Sequence, residues 1–157
     1  MAEQVDTNDL IRAAMLDDLV GVFKREGYVI QGVKGLEGFD PPPMVKNSGF
    51  GSGRARMPDV AGLDSARRRL VFGVVRPNRK SLDTEEALEE YNVFLDHNES
   101  LGPQASLLLV EMPVHLLPEF TSMITHYIHR EYWHRIIPVA YSPGGDGRTT
   151  APVSSRE

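Results

Sequence analysis

The sequence contains no cysteine, which removes a whole group of chemistries. Disulfide bonds, zinc-thiolate sites, iron-sulfur clusters and thiol nucleophiles all require that side chain. Long apolar runs are also missing, because stretches such as residues 106–110 fall far short of the roughly 20 residues that a membrane helix needs. The start of the chain has no basic stretch followed by an apolar run, so we expect no secretory signal. These absences predict a cytoplasmic protein with no membrane segment.

Positive charge is scarce overall but concentrated in one place. Seventeen Lys and Arg stand against 22 Asp and Glu, giving a net charge of -5. Residues 54–80 alone hold eight basic and two acidic side chains, a net charge of +6, which leaves -11 for the rest. Because salt limits the reach of distant charges to about 8 Å, a local patch can bind phosphates on an acidic protein. This segment is therefore a candidate nucleic-acid-binding surface.

The length of 157 residues, 41% of them hydrophobic, is sufficient for one domain with a real core. We predict a single domain over residues 1–141, which includes a flexible Gly/Pro-rich loop at 34–57. Three consecutive prolines and several glycines exclude a regular helix from that loop. Residues 142–157 have too little apolar surface to offset their ordering entropy, so we predict a flexible tail.

Hydrophobic periodicity predicts helices over residues 6–26 and 83–97 and another beginning at Pro118. The first carries an apolar stripe of Leu10, Ala13, Ala14, Leu16, Leu19, Val20 and Phe23. Strands are predicted over 28–33, 58–63, 69–76, 107–112 and 135–141, and the strand at 69–76 is apolar on both faces, as a covered central strand is. The order αβββαβαβ predicts an α/β fold with a mixed central sheet flanked by helices.

Two groups of polar residues on the predicted helices are interpreted as surface. Glu85, Glu86, Glu89 and Glu90 fall mostly opposite the apolar stripe of their helix, which is typical of a solvated face. His126, Arg130 and His134 form an i, i+4, i+8 row on the polar side of the last helix-like segment. Their spacing matches no recognised zinc site, so we interpret the row as a polar helix face.

The order of elements and two short motifs resemble the restriction-endonuclease-like, or PD-(D/E)XK, nuclease superfamily. Pro58-Asp59-Val60 looks like the PD motif that opens the family's second strand. The segment 72–76, Phe-Gly-Val-Val-Arg, is similar to the strand that ends in Gly-(Asp/Glu)-x-Lys, and 84–94 resembles the helix that follows. The resemblance implies the family's fold and a Mg²⁺-dependent phosphodiester hydrolase site, with Asp59 as a metal ligand.

Two signature positions of the family differ in this chain. The acidic position is Val74, which offers no oxygen to a divalent cation, and the lysine position is Arg76. Arginine stays protonated, so it can bind a phosphate but cannot act as a general base. The predicted catalytic remnant is therefore Asp59 with Arg76.

Four interpretations of this pattern remain open. The chain is a nuclease relative that has lost its metal and binds nucleic acid, with no cofactor, or it is an active Mg²⁺-dependent nuclease whose ligands have migrated. Alternatively, it is an unrelated α/β protein that shares the order of elements by chance, or a non-enzymatic subunit that binds a protein partner or a second copy. A rebuilt metal site would draw on one or more of these side chains: Asp18, Glu26, Asp64, Lys80 and Glu111.

For nucleic acid, the predicted phosphate contacts come from the basic segment. They are Arg54, Arg56, Arg76, Arg79 and Lys80. Arg67, Arg68 and Arg69 either join the same cleft or form a solvated hairpin tip. The sequence alone favours neither of these two placements.

Overall fold

A computed structural model of the chain describes residues 7–46, 55–82, 84–95, 106–142 and 148–153. Helices α1, α2 and α3 span Thr7–Arg25, Glu85–Leu95 and Leu117–Tyr127. The strands are β1 Val29–Val33, β2 Val45–Lys46, β3 Ala55–Arg56, β4 Val60–Asp64, β5 Arg69–Val75, β6 Leu107–Pro113, β7 Ile136–Tyr141 and β8 Arg148–Thr149. Short 3-10 turns lie at Arg79–Ser81, Val114–Leu116 and Arg130–Arg135.

Six strands form one mixed sheet in the order β1-β4-β5-β6-β7-β8. Strands β1, β4 and β5 are antiparallel neighbours, β5, β6 and β7 run parallel, and β8 returns antiparallel to β7. The parallel pairs are connected through α2 and α3, as parallel neighbours require a crossover. The predicted α/β fold with a mixed sheet and flanking helices is confirmed at this level.

The central strand β5 is covered on both faces. Val71 and Val75 pack in the core beneath α1, while Phe72 and Val74 pack in the core formed with α2 and α3. Its alternating side chains thus divide between two hydrophobic layers, as the two-faced apolar pattern predicts. Among the described residues, no helix is both long and apolar enough to cross a membrane.

Helix α1 lies very close to the sheet because a glycine faces it. A Cβ atom added to Gly73 would lie 2.9 Å from Phe23 Cε1 and 3.0 Å from Leu19 Cδ2. The missing side chain lets the Phe23 ring rest directly on β5, where it is fully buried.

The predicted stripe of α1 is only partly correct. Leu16, Leu19, Val20 and Phe23 are buried, but Leu10, Ala13 and Ala14 are exposed. The first turns of the helix reach the ends of β6 and β7, where Leu10 and Ala14 line an open groove with Pro113 and Tyr141. Periodicity identifies the apolar face of a helix but not where the sheet beneath it ends.

Three short strands were not predicted from the sequence. The pair β2 and β3 lies within the segment predicted as a loop, and β8 lies within the segment predicted as a tail. Val153 beyond β8 is buried, and its N–H donates to the Ile136 carbonyl at 3.0 Å. Two-residue strands have no periodicity to detect, so only their pairing partners define them.

The predicted histidine row is wrong, because it does not lie on one helix. Helix α3 ends at Tyr127, the backbone is extended at Ile128 and His129, and Arg130–Arg135 forms a 3-10 turn. His126 therefore belongs to α3 and His134 to the following turn. The i, i+4, i+8 geometry requires a continuous α-helix, which the chain does not form here.

Candidate functional site

A polar pocket of about 230 Å³ opens where β4 begins and β5 ends. Because the two strands are antiparallel, the start of one lies beside the end of the other. We call this cavity the Asp59 pocket. Its charged lining residues come from α1, from the loop after β1, from the two strand ends and from α2; they are Arg12, Lys34, Asp59, Arg76, Glu86 and Glu90.

Asp59 is held by two donors from different elements. The Arg12 guanidinium of α1 donates from Nη2 to Oδ1 at 2.7 Å, and the Val75 N–H donates to Oδ2 at 2.9 Å. The Asp59 side chain is only 7% exposed. Its own N–H donates to the Gly73 carbonyl at 2.9 Å, which anchors the residue to the end of β5. The carboxylate is therefore fixed and already faces a cation.

Arg76 is a buried cation whose direction is fixed by α2. Its Nε donates to the Tyr91 hydroxyl at 2.9 Å, and its Nη2 donates to Glu90 Oε1 at 2.7 Å. The guanidinium carbon lies 5.1 Å from the centre of the Tyr91 ring. Burial lowers the pKa of Arg76, but the contacts with Tyr91 and Glu90 outweigh burial and hold that pKa above its ordinary value. The group stays charged and serves as a fixed donor.

The residues of the pocket do not fit a Mg²⁺ site. Val74 also lines the pocket, but its apolar side chain packs in the core with α2 and offers no oxygen ligand. Asp59 is paired with Arg12 and Glu90 with Arg76, and in the described part of the chain no three His, Asp or Glu side chains are grouped as metal ligands. Mg²⁺ prefers near-octahedral oxygen coordination, and two of the three carboxylates that line the pocket, Asp59 and Glu90, are already bound to arginines.

The residues proposed for a rebuilt metal site do not line the pocket. Asp64 accepts from Arg67 and Arg69 at the β4–β5 hairpin, at the opposite end of these strands from Asp59. Glu111 lies fully buried on β6 under α1, and burial together with the neighbouring Asp18 carboxyl raises the pKa of Glu111 to about 10. Glu26 and Lys80 do not line the pocket either.

Among the described glutamates, Glu86 and Glu90 reach the pocket, and the sequence analysis had assigned both to a solvated face. Glu90 is half-buried against Arg76, and its neighbour Glu89 accepts from Arg56 Nη2 at 2.8 Å. Their spacing of one helical turn places Glu86 and Glu90 on the same side of α2. The one sequence signal for this placement was that α2 follows β5 in the chain, because a helix in that position must pack back over the strand.

The basic segment does not surround one cleft. Arg76 lines the Asp59 pocket, Arg56 is paired with Glu89, and Arg79 with Lys80 is exposed on the next turn. The hairpin arginines lie at the far end of the sheet, with Arg67 and Arg68 exposed, which agrees with the solvated-tip alternative. Arg54 lies outside the described residues. Arg12 and Lys34, which carry no recognisable motif, bring positive charge to the pocket instead.

Comparisons of the chain with protein-family models, with curated protein sequences and with solved structures gave no match in any of the three.

Proposed function

We propose that this chain is a restriction-endonuclease-like domain of the PD-(D/E)XK type that has lost metal-dependent cleavage and binds nucleic acid at the Asp59 pocket. The order of its long elements supports this proposal, since α1, β1, β4, β5, α2 and β6 follow one another as the resemblance requires. Asp59 precedes β4 and Arg76 follows β5, so the two motif residues meet at one pocket.

The Arg12–Asp59 ion pair is the observation that carries the proposal. A carboxylate that faces open solvent repels a phosphodiester unless a cation is bound to it. Here a guanidinium at 2.7 Å supplies that cation permanently. The pocket can therefore receive a phosphate group without a metal ion.

Three cationic side chains line the same pocket and can donate to phosphate oxygens. They are Arg12, Lys34 and Arg76. Arginine binds phosphate through paired N–H groups, but it stays protonated and cannot activate a water molecule as a general base. Arg79 and Lys80, exposed on the adjoining turn, extend positive charge away from the pocket. This chemistry supports phosphate binding without hydrolysis.

Salt-dependent DNA binding tests the proposal. We expect the chain to bind labelled oligonucleotides at low salt, with affinity falling steeply as salt rises. Lys34→Gln and Lys80→Gln should each weaken binding and reduce the salt slope by about one phosphate contact. Arg148→Gln on β8, at the opposite edge of the sheet from β1, is the matched control and should leave the slope unchanged. No binding at low salt would overturn the proposal.

A cleavage assay separates this proposal from the active-nuclease alternative. With Mg²⁺ or Mn²⁺ present, the wild-type chain and Asp59→Asn should both leave the oligonucleotide intact. Metal-dependent cleavage by the wild-type chain that disappears in Asp59→Asn would show that a working metal site exists there.

A further inference from the structure

A second groove, of about 440 Å³, lies on the other side of the 3-10 turn Arg79–Ser81. Ser81 lines the Asp59 pocket, whereas Arg79 lines this groove, so one turn separates the two cavities. The far wall is formed by α3, which contributes Glu119, Ser122, His126 and Tyr127. We call it the Tyr127 groove.

An aromatic ring is unusually accessible in this groove. Tyr127, the last residue of α3, is 61% exposed. The His126 ring lies 4.6 Å from it, centroid to centroid, at an interplanar angle of 84°. The two rings are in edge-to-face contact, and the tyrosine ring remains largely exposed where it lines the groove. An aromatic ring presented in this way can stack on a base of any sequence.

A cation with a weakly bound partner lines the same groove. Arg79 Nε lies 3.1 Å from Glu119 Oε2, but the two side chains are 77% and 46% exposed. Exposed ion pairs of this kind contribute little free energy. Arg79 can therefore exchange Glu119 for a phosphate at small cost, whereas the buried Arg76 cannot leave its partners so readily.

We infer that the Tyr127 groove binds a nucleotide of a single-stranded nucleic acid, with its base stacked on Tyr127 and its phosphate at Arg79. This inference rests on the proposed function, because the neighbouring phosphate of the same strand would enter the Asp59 pocket across the turn. Bases in a duplex are stacked on one another and cannot reach a protein ring without unpairing. The domain should therefore prefer single strands to duplexes.

Binding measured by fluorescence anisotropy tests the inference with a labelled oligothymidine and a duplex of the same length. Because the base would lose its stacking partner, Tyr127→Ala should weaken single-strand binding about tenfold. Tyr127→Phe keeps the ring and should bind within about twofold of the wild-type chain. Duplex affinity, lower than that for the single strand, should be the same in all three proteins. The exposure of Tyr127 makes both substitutions compatible with folding.

The possible failures are distinguishable. No binding of either oligonucleotide at low salt overturns the proposed function and this inference together. Strong single-strand binding that Tyr127→Ala leaves unchanged overturns this inference alone, as does an equal or greater affinity for the duplex. A free thymidine monophosphate that binds as tightly as the strand, and is weakened by Tyr127→Ala, would overturn the strand assignment in favour of a mononucleotide site.

Discussion

Arg12 Nη2 lies 2.7 Å from Asp59 Oδ1, although the two residues are 47 positions apart in the chain. The pair joins the first helix to the start of β4 at the edge of the Asp59 pocket. It neutralises the Asp59 carboxylate at the pocket and ties α1 to the end of the sheet. Its contribution to folding can be measured separately from any ligand.

The Arg12–Asp59 pair should show clear energetic coupling. In a double-mutant cycle of Arg12→Ala and Asp59→Asn, we expect a coupling free energy of about 1–2 kcal/mol, because Asp59 is nearly buried and its hydrogen bond is charge-assisted. Urea unfolding of the four proteins measures it. The exposed Arg79–Glu119 pair, treated with Arg79→Ala and Glu119→Gln, is the control and should couple by less than about 0.5 kcal/mol. Equal coupling in both pairs would contradict the prediction.

The buried Glu111 should make stability fall as pH rises. Its pKa is about 10 in the folded chain, against an ordinary value of 4.5, because burial and Asp18 disfavour its charged form while Arg25 offsets only part of this. Between these values the unfolded chain binds fewer protons than the folded chain, so unfolding becomes easier with pH. The stability contributed by Glu111 is complete below about pH 4.5 and is lost progressively as the pH rises toward 10.

Glu111→Gln isolates this effect, because glutamine has nearly the same shape and no titration. The stability of the variant relative to the wild-type chain should increase with pH, by at most about 1.4 kcal/mol per pH unit. Urea unfolding at several values between pH 5 and pH 9 measures the difference, and titrating groups that do not interact with Glu111 cancel in it. A difference that stays constant across that range would show that Glu111 does not titrate as stated.

The contact between Gly73 and α1 should make this position intolerant of a side chain. Gly73→Ala would place a methyl group 2.9 Å from Phe23, and we expect a loss of about 1–3 kcal/mol in the free energy of unfolding. Gly21→Ala within α1 is the matched control, since its Cβ would meet no atom within 4 Å. That substitution should stabilise the helix by up to about 1 kcal/mol.

A smaller residue beneath the new methyl group provides a second check. Phe23→Leu is destabilising alone, but in the Gly73→Ala background it should cost less, because leucine vacates part of the space that the methyl group needs. If the effects of the two substitutions on the free energy of unfolding simply add, close packing of Phe23 on Gly73 is not the cause of the destabilisation by Gly73→Ala.

The layers of the fold were predictable because their signals are local. The apolar residues of β5 and the stripe from Leu16 to Phe23 repeat with the periods of a strand and a helix, and those periods directly select a buried face. The short strands β2, β3 and β8 offer no period, and their places are fixed only by the backbone groups they pair with. The start of α1 was wrongly predicted to be buried for a related reason, because the sequence of a helix does not indicate how far the sheet beneath it extends.

The candidate site was predictable only in outline. Asp59 and Arg76 were singled out by short motifs beside two predicted strands, and an antiparallel hairpin brings the start of one strand to the end of the other. Glu90, Tyr91 and Arg12 could not be assigned, because their roles depend on how two helices cross opposite faces of the sheet.

By itself, the sequence determined the absence of thiol chemistry, the α/β class, the covered central strand and the concentration of positive charge in residues 54–80. Tertiary structure decided how that charge is distributed. It paired Arg56 and Arg76 with glutamates of α2, left the hairpin arginines at the far end of the sheet, and brought Arg12 to Asp59. The physical reason is the distance over which each signal acts. Periodicity and composition are read over a few neighbouring residues, whereas ion pairing requires atoms within about 4 Å of each other in space. Only the folded chain sets which distant residues come that close.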